Sequence, residues 1–177
     1  MQKFKWFLPV VIAVSILMAF KPADADKEKV NWITVKELNE LYAKEPRPIL
    51  IDVYTDWCGW CKHMERTTYR NEKLANYINE HYYAVRYNAE SADSVLFNQK
   101  TYKYNPRIRT NDFAMYLTFG RLEYPTTIFL SSIGAQPAPL SGYMKPREME
   151  GPLKFFGEKA DASQTFVEFD KKLKKEW

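Results

Sequence analysis

The chain has 177 residues, of which 46% are hydrophobic and 27% are charged, a composition typical of a globular protein with a real core. Its formal net charge of +4 at pH 7 is too near neutrality to indicate nucleic acid or a membrane surface as partner. Only two cysteines are present, which excludes a framework of several disulfides.

The first 25 residues have the architecture of a secretory signal peptide. Two lysines precede an apolar run over residues 6–20, and Ala23-Asp24-Ala25 is a cleavage pattern of the A-x-A type. The alternative is an uncleaved membrane anchor, but about 15 helical residues span only about 22 Å, short of the roughly 30 Å hydrocarbon core. We expect cleavage near Ala25 and a protein exported to the periplasm or another extracytoplasmic space. One domain, residues 26–177, would remain without stable membrane insertion; its net charge would be +2, since three lysines and one aspartate are removed.

A helix and then a strand open the predicted mature domain. Residues 34–37 have the capping-box pattern, which predicts a helix that continues to about Lys44. Leu38 and Leu41 would form its apolar face. The apolar run over residues 48–54 has the length and composition of a buried strand.

The most informative stretch follows this strand, where Cys58-Gly59-Trp60-Cys61 opens a predicted helix that ends near Tyr69. Two thiols three positions apart at a helix N-terminus can close a small disulfide ring and open it again. The unpaired backbone amides and the positive end of the helix dipole lower the pKa of the first thiol. Cys58 is therefore the candidate nucleophile of thiol–disulfide exchange, and Cys61 is the candidate resolving thiol.

A lone C-x-x-C pair is also compatible with half of a zinc site or with a structural disulfide. Zinc would require two further ligands, and the only histidines are His63 and His81. His63 lies two residues past Cys61 on the same predicted helix, where it cannot easily complete a tetrahedron with both thiols. A structural role for so short a loop is disfavoured because longer loops gain more from cross-linking. Redox chemistry is therefore favoured, with no bound metal and no cofactor beyond the redox-active cysteine pair.

The next predicted elements alternate as helix and strand. Asn71 is placed to cap a helix that runs through Asn79, and residues 82–87 have the composition of a strand. The residues expected to face inward from this helix are Leu74, Tyr77 and Ile78. An alternation of helices and strands predicts an α/β domain whose sheet is covered by helices.

An aromatic and basic stretch over residues 89–119 comes next. We expect one helix near residues 91–100 and another over residues 112–119, with Asn105-Pro106 as a break between them. Two interpretations are open. The stretch is either a satellite cluster packed under a long loop or a lid that shapes a substrate groove.

The last third of the chain predicts two strands and two helical segments. Strands are expected over residues 126–131 and up to about Ser141, before a helix over residues 146–156 that Gly151-Pro152 interrupts. The lysine-rich tail, about residues 163–177, is amphipathic. It either frays or docks through the apolar face formed by Phe166, Phe169 and Leu173.

Two motifs carry a resemblance to a known family. The run D-V-Y-T-D-W-C-G-W-C-K over residues 52–62 resembles the active-site strand and helix of thioredoxin-fold proteins, especially of exported thioredoxin-like subfamilies. Tyr124-Pro125-Thr126 resembles the cis-proline loop of that fold, and Gly142 resembles the glycine of its last strand. The likeness covers roughly residues 31–157. It departs at Trp60, where thioredoxin has proline, and in the extra residues before Pro125.

The resemblance implies a thioredoxin fold: a central mixed β-sheet flanked by helices on both faces, with a helical insertion (residues 89–119) before the cis-proline loop. It also implies residues that support the thiols and residues that bind substrate. The supporting residues are Asp52, Trp57 and Lys62, and the substrate-binding residues are Trp60, Tyr124 and Pro125.

Asp52 matches the buried acid of thioredoxins. Behind the disulfide it could accept the proton that Cys61 loses, since burial raises the pKa of a carboxyl group towards neutrality. Arg86 aligns with a lysine near that acid, and a permanent cation there would pull the pKa of Asp52 back down. The alternative is a satisfied acid at a strand edge without a part in the chemistry.

The sequence and the resemblance together predict an exported, monomeric protein thiol–disulfide oxidoreductase. Its partners would be exported proteins, or a redox partner protein, that carry thiols or disulfides, and nucleic acid is not expected to be one. The alternative is a non-catalytic binding module whose groove holds a peptide or a copper ion, with His63 and Met64 as further copper ligands beside the thiols. A surface histidine and a core methionine are the simpler interpretation of those two residues.

Overall fold

The protein is described here by a computed structural model that covers residues 29–177; the predicted signal peptide lies outside these residues. The strands are β1 (Trp32–Ile33), β2 (Ile49–Tyr54), β3 (Tyr83–Asn88), β4 (Val95–Phe97), β5 (Lys100–Tyr102), β6 (Tyr104–Asn105), β7 (Thr110–Asn111), β8 (Thr126–Leu130) and β9 (Ala138–Ser141). The helices are α1 (Val35–Tyr42), α2 (Gly59–Thr67), α3 (Glu72–His81), α4 (Asp112–Leu117), α5 (Pro146–Gly157) and α6 (Phe166–Lys172), and a 3-10 turn spans Ala160–Ala162.

A mixed five-stranded sheet in the order β1-β3-β2-β8-β9 forms the centre of the domain. Strand β2 lies in the middle, parallel to β3 and antiparallel to β8. The register of β2 and β3 places Asp52 beside Arg86. The predicted central mixed sheet is therefore confirmed.

Both faces of the sheet are covered, because successive side chains of β2 point to opposite sides. Ile51 and Val53 pack with Leu38 of α1 on one side, whereas Leu50 packs with Met64 of α2 and helices α3 and α5 on the other. This arrangement confirms the predicted thioredoxin fold with helices on both faces. Asp52 has the same parity as Leu50, so its side chain lies on the face that α2 covers.

The first and third helices begin where the sequence predicts. Thr34 caps α1 in a capping box, with the Glu37 amide 3.2 Å from the Thr34 hydroxyl. Asn71 caps α3 by accepting a hydrogen bond from the Leu74 amide at 3.1 Å. On the predicted apolar face, Leu38 is fully buried in the core, whereas Leu41 near the end of the helix is 36% exposed.

The predicted helix near residues 91–100 is wrong, because this part of the insertion forms the hairpin β4–β5. Val95 and Phe97 are buried while Leu96 between them is exposed, which is the two-residue period of a strand. Asn98 and Gln99 both have positive φ and form the tight turn of the hairpin. The predicted helix over residues 112–119 is present as α4.

The insertion is also not a satellite cluster. Its buried side chains, among them Phe97 and Phe113, belong to the same apolar core as Leu38 and Ile51. Hairpin β4–β5 and helix α4 therefore help to cover one face of the central sheet and share its core.

The C-terminal third differs from prediction in one helix. Helix α5 runs without interruption through Gly151 and Pro152, since an internal proline can remove one helical hydrogen bond without ending the helix. Of the two predictions for the C-terminal tail, docking is the one observed. Helix α6 packs on α5, with the ring of Phe155 5.5 Å from the rings of both Phe166 and Phe169. Across residues 29–177, no helix combines the length and the apolar character that a membrane crossing requires.

Candidate active site

The two cysteines lie where the central strand gives way to helix α2. Cys58 is the N-cap residue of α2, and Cys61 lies in the first turn. The two are joined by a disulfide, and the Cys61 amide donates a hydrogen bond to Cys58 Sγ at 3.0 Å. Cys58 is 5% exposed and Cys61 is 1% exposed, so the first sulfur is the more accessible of the two. The Cys61 amide thus points at Cys58 Sγ, the atom that would carry the negative charge of the thiolate after reduction.

Two tryptophans flank the disulfide and face solvent. Trp57 is 68% exposed and Trp60 is 62% exposed, far more than large apolar side chains usually are. The ring of Trp60 lies 5.6 Å from that of Tyr143, which in turn lies 5.0 Å from the imidazole of His63. An exposed aromatic surface around a reactive pair is suited to contact with another protein.

The cis-proline loop lies on the same face. The Tyr124–Pro125 peptide bond is cis, and the Pro125 carbonyl accepts a hydrogen bond from the Gly142 amide at 2.8 Å. A cavity of about 300 Å³ is lined by Trp60, Tyr124, Pro125, Gly142 and Tyr143. The fold thus brings together the three residues that were predicted to bind substrate.

Trp57 is held by the insertion. Its indole N–H donates to Glu90 Oε1 at 3.0 Å, and its ring meets the ring of Tyr124 edge-on at 5.9 Å. The backbone N–H of Asn111, at the base of hairpin β6–β7, donates to the carbonyl of Ala89, the residue before Glu90, at 2.8 Å. The insertion therefore contacts Trp57 beside the cysteines through Glu90, whereas none of the residues that line the cavity belongs to it, so the lid interpretation stays a prediction.

Asp52 lies in the central strand, 1% exposed. Burial raises the pKa of Asp52 to about 7, although the Arg86 guanidinium and the Tyr69 hydroxyl both act to lower it. Arg86 Nε lies 3.4 Å from Asp52 Oδ2, and Tyr69 Oη lies 3.4 Å from Asp52 Oδ1. Burial wins because a fully enclosed carboxylate loses its hydration, whereas neither partner is at close hydrogen-bonding distance.

A second carboxylate shares Arg86. Glu65, on α2 four residues after Cys61, lies 2.7 Å from Arg86 Nη1. The guanidinium also lies over the ring of Tyr54 at 4.4 Å. Because Arg86 is closer to Glu65 than to Asp52, it neutralises the buried acid only in part.

Lys62 was predicted to support the thiols, and Met64 was considered as a copper ligand. Lys62 is exposed, and none of the ion pairs found within residues 29–177 includes it. Met64 lies on the inner side of α2 and is fully buried in the core. No group of three or more His, Cys, Asp or Glu side chains in the described residues is arranged to hold a metal ion.

The sequence analysis missed several residues of this site. Glu65 and Tyr69 follow Cys61 on the α2 side of the sheet, and helical spacing from the cysteines could have indicated Glu65. Glu90 and Tyr143 left no signal in the sequence, because only the tertiary fold brings them to the cysteine face.

The profile that describes the thioredoxin-like domain matches residues 35–157. Among curated proteins, the thiol:disulfide interchange protein DsbD of Ralstonia nicotianae is 27% identical over 142 residues, which make up 76% of this chain and 21% of that protein. This chain spans about a fifth or less of the length of the curated relatives it matches.

Two solved structures resemble the domain. A thioredoxin-fold protein from Helicobacter pylori has a TM-score of 0.55 at 19% identity, covering 71% of this chain and 79% of that chain. A thioredoxin from Thermus thermophilus has a TM-score of 0.52 at 13% identity, covering 71% of this chain and 85% of that chain. At these identities the likeness bears on the fold alone.

Proposed function

This chain belongs to the thioredoxin-like domain family, and from that premise we propose that it is an exported protein thiol–disulfide oxidoreductase. The observation that carries the proposal is the cysteine pair itself. Cys58 and Cys61 are joined at the N-terminus of α2, with a helix amide donating to Cys58 Sγ. The relatives named thiol:disulfide interchange proteins support the same chemistry.

In the proposed reaction the reduced chain acts first through Cys58. Its thiolate attacks one sulfur of a partner disulfide, a bond forms between that sulfur and Cys58, and the second partner sulfur leaves as a thiolate. Cys61 then attacks Cys58 Sγ, which forms the Cys58–Cys61 disulfide and releases the other partner sulfur. The partner gains two electrons and two protons. When the chain starts oxidised, the same steps run in reverse.

Asp52 is proposed to take the proton of Cys61 during the second attack. A thiol must lose its proton to become a nucleophile, and a buried acid whose pKa is about 7 can accept that proton and return it near neutral pH. Arg86 and Tyr69 hold the carboxyl group in place, so they are positioning residues.

Trp60, Tyr124 and Pro125 are proposed to bind the partner next to its disulfide. They line the cavity of about 300 Å³ beside the cysteines, and Tyr124 can present main-chain groups to an extended partner segment. Trp57 is proposed to support the loop before Cys58 through its bond to Glu90. Lys62 would add a positive charge one residue after Cys61.

We propose export with cleavage near Ala25, and a monomer that works on proteins outside the cytoplasm. The support is the signal-peptide pattern before residue 26. N-terminal sequencing of the protein recovered from the extracytoplasmic fraction tests this; a first residue near Asp26 is expected. Recovery of a membrane-bound form that retains Met1 would replace the signal peptide with an anchor.

Reduction of insulin in the presence of dithiothreitol tests the proposed activity. The wild-type domain should accelerate precipitation of the insulin B chain, and Cys58→Ser should remove the acceleration, with Lys44→Ala, at an exposed residue after α1, as a surface control. A wild-type domain no faster than dithiothreitol alone would instead support the binding-module alternative. The reduction potential of the Cys58–Cys61 pair then decides whether the chain serves as reductant or oxidant.

A further inference from the structure

The cations of the insertion are concentrated in one short stretch. Residues 100–109 contain Lys100, Lys103, Arg107 and Arg109 but no carboxylate, so this stretch carries a charge equal to the formal net charge of +4 of the whole chain. All four side chains are exposed, and none takes part in an ion pair among the described residues. We call residues 104–111 the basic hairpin; its two strands are β6 and β7, and its turn carries Arg107 and Arg109.

The root of the basic hairpin is firmly anchored. Asn111 is fully buried, and its amide nitrogen donates to the carbonyls of Ser91 and Asp93 at 3.1 Å and 2.9 Å. Its backbone N–H donates to the Ala89 carbonyl at 2.8 Å. The cations at the turn are therefore held in a defined place.

The root of the basic hairpin is linked to the residues that flank the cysteines. The backbone N–H of Asn111 bonds to the carbonyl of Ala89, and the next residue, Glu90, accepts the indole N–H of Trp57, which directly precedes Cys58. Arg109 is the next residue to Thr110, and Arg107 lies three residues away, which is at most about 11 Å along an extended chain. The Debye length is about 8 Å at physiological ionic strength and roughly 20 Å at 0.02 M, so these cations act on a ligand in the groove mainly at low ionic strength.

The acidic groups near the root, Glu90 and Asp112, form no ion pair with the arginines of the turn among the described residues. Glu90 Oε1 is engaged by the indole N–H of Trp57, and Asp112 lies in the first turn of α4, where a negative charge complements the helix dipole. Ile108, 43% exposed, stands between the two arginines and adds an apolar contact at the tip.

We propose that the basic hairpin docks an acidic segment of the same partner protein whose disulfide lies in the cysteine groove. This proposal rests on the proposed function. Arginine forks bind carboxylates in pairs of hydrogen bonds, and complementary charge speeds encounter and selects among partners. Because the root is bonded to the segment that holds Trp57 beside the cysteines, a protein segment that extends beyond the groove can reach the hairpin, which favours a protein segment over nucleic acid or lipid.

Two synthetic peptides test the proposal. Each contains one intramolecular disulfide in the same sequence, flanked by four glutamates in one peptide and by four lysines in the other. The wild-type chain, reduced beforehand, is mixed with each peptide, and the rate at which the peptide is reduced to its dithiol is measured. At an ionic strength of about 0.02 M the acidic peptide should react roughly tenfold faster, and at about 0.5 M the difference should nearly vanish.

Matched variants assign the effect to the hairpin. Arg107→Glu combined with Arg109→Glu should abolish or reverse the preference for the acidic peptide, whereas the two Arg→Lys substitutions should keep most of it. Lys171→Glu with Lys172→Glu changes the net charge equally on the exposed, remote helix α6 and should leave the preference intact. All variants should reduce the uncharged hydroxyethyl disulfide at the wild-type rate.

The outcomes separate the two proposals. Equal rates for both peptides, or a preference that the remote lysine variant also loses, would overturn docking at the basic hairpin. Binding of the chain to anionic vesicles or to RNA without discrimination between the peptides would overturn it as well. No reduction of either peptide or of hydroxyethyl disulfide would overturn the oxidoreductase proposal instead.

Discussion

Cys58 and Cys61 belong to one motif but lie in unequal environments. Cys58 caps α2 and is the more exposed sulfur, whereas Cys61 is turned into the core beneath the helix. In the reduced protein, iodoacetamide near pH 7 should therefore alkylate Cys58 at least about tenfold faster than Cys61. Peptide mass mapping after a short exposure measures the ratio. Faster modification of Cys61 would reverse the assignment of attacking and resolving thiols.

The raised pKa of Asp52 predicts how the stability of the protein depends on pH. Its pKa is about 7 in the folded protein, against an ordinary value of 3.8. Between about pH 4 and pH 7 the folded state retains a proton that the unfolded state has lost, so wild-type stability falls as pH rises through this window. Asp52→Asn removes the buried charge and should be more stable than wild type at about pH 8, by roughly 2–4 kcal/mol, but not at about pH 4.

Urea unfolding of the disulfide-bonded protein at several pH values measures this difference. The matched control is Asp56→Asn, which removes an exposed carboxylate that accepts one hydrogen bond, from the Asn88 side chain, and should change stability little at any pH. A wild-type protein that gains stability relative to Asp52→Asn as pH rises would contradict the assignment.

Among the elements, the insertion depends on one buried amide. Asn111 bonds through its side chain to the carbonyls of Ser91 and Asp93 and to the amide of Phe113. Asn111→Ala would leave these buried groups without partners, so we expect a loss of about 2–4 kcal/mol of unfolding free energy. Asn105→Ala removes only a bond to the Arg107 amide at an exposed turn and should cost less than about 1 kcal/mol. Equal losses measured by urea unfolding would show that Asn111 is not the anchor.

The docking of α6 depends on a close approach at Gly151. A Cβ atom at this position would lie 2.7 Å from Asp170 Oδ1 and 3.4 Å from the Phe166 ring. Since α6 buries no residue completely, Gly151→Ala should loosen the tail without unfolding the core. Limited trypsin digestion should release the lysine-rich tail several-fold faster than from wild type, while Gly134→Ala, where nothing lies within 4 Å, should not change the rate. If trypsin releases the tail of Gly151→Ala at the wild-type rate, the prediction is contradicted, and α6 can shift to accommodate the added Cβ atom.

The same elements show how far the sequence predicted the fold. The central strand β2 and the capped helices α1 and α3 carry local signals, namely an apolar run and side-chain caps, and these elements lie where the sequence places them. Hairpin β4–β5 was missed because its strands are only three residues long, too short for periodicity to separate strand from helix. These residues form strands because Val95 and Phe97 are buried in the core beside the sheet. Such burial depends on the tertiary fold and not on the local sequence.

At the scale of the whole molecule, the site is assembled from distant parts of the chain. The cysteine motif predicts its own position, but the bond from Trp57 to Glu90 joins the motif to the insertion, and the ring contact of Trp57 with Tyr124 joins it to the cis-proline loop. Arg86 similarly connects the central sheet to α2 through Asp52 and Glu65. Such pairs depend on strand register and on the path of the insertion, so local sequence patterns do not reveal them.

Trapping of a mixed disulfide tests the central claim most directly. Reduced Cys61→Ser retains the attacking thiol but lacks the resolving one, so after mixing with a disulfide-bonded peptide it should accumulate a covalent adduct of protein and peptide. Intact-mass measurement should find the adduct in Cys61→Ser, little of it in wild type, and none in Cys58→Ser, and dithiothreitol should release it. Absence of any adduct in Cys61→Ser, or equal adduct in Cys58→Ser, would contradict thiol–disulfide exchange led by Cys58.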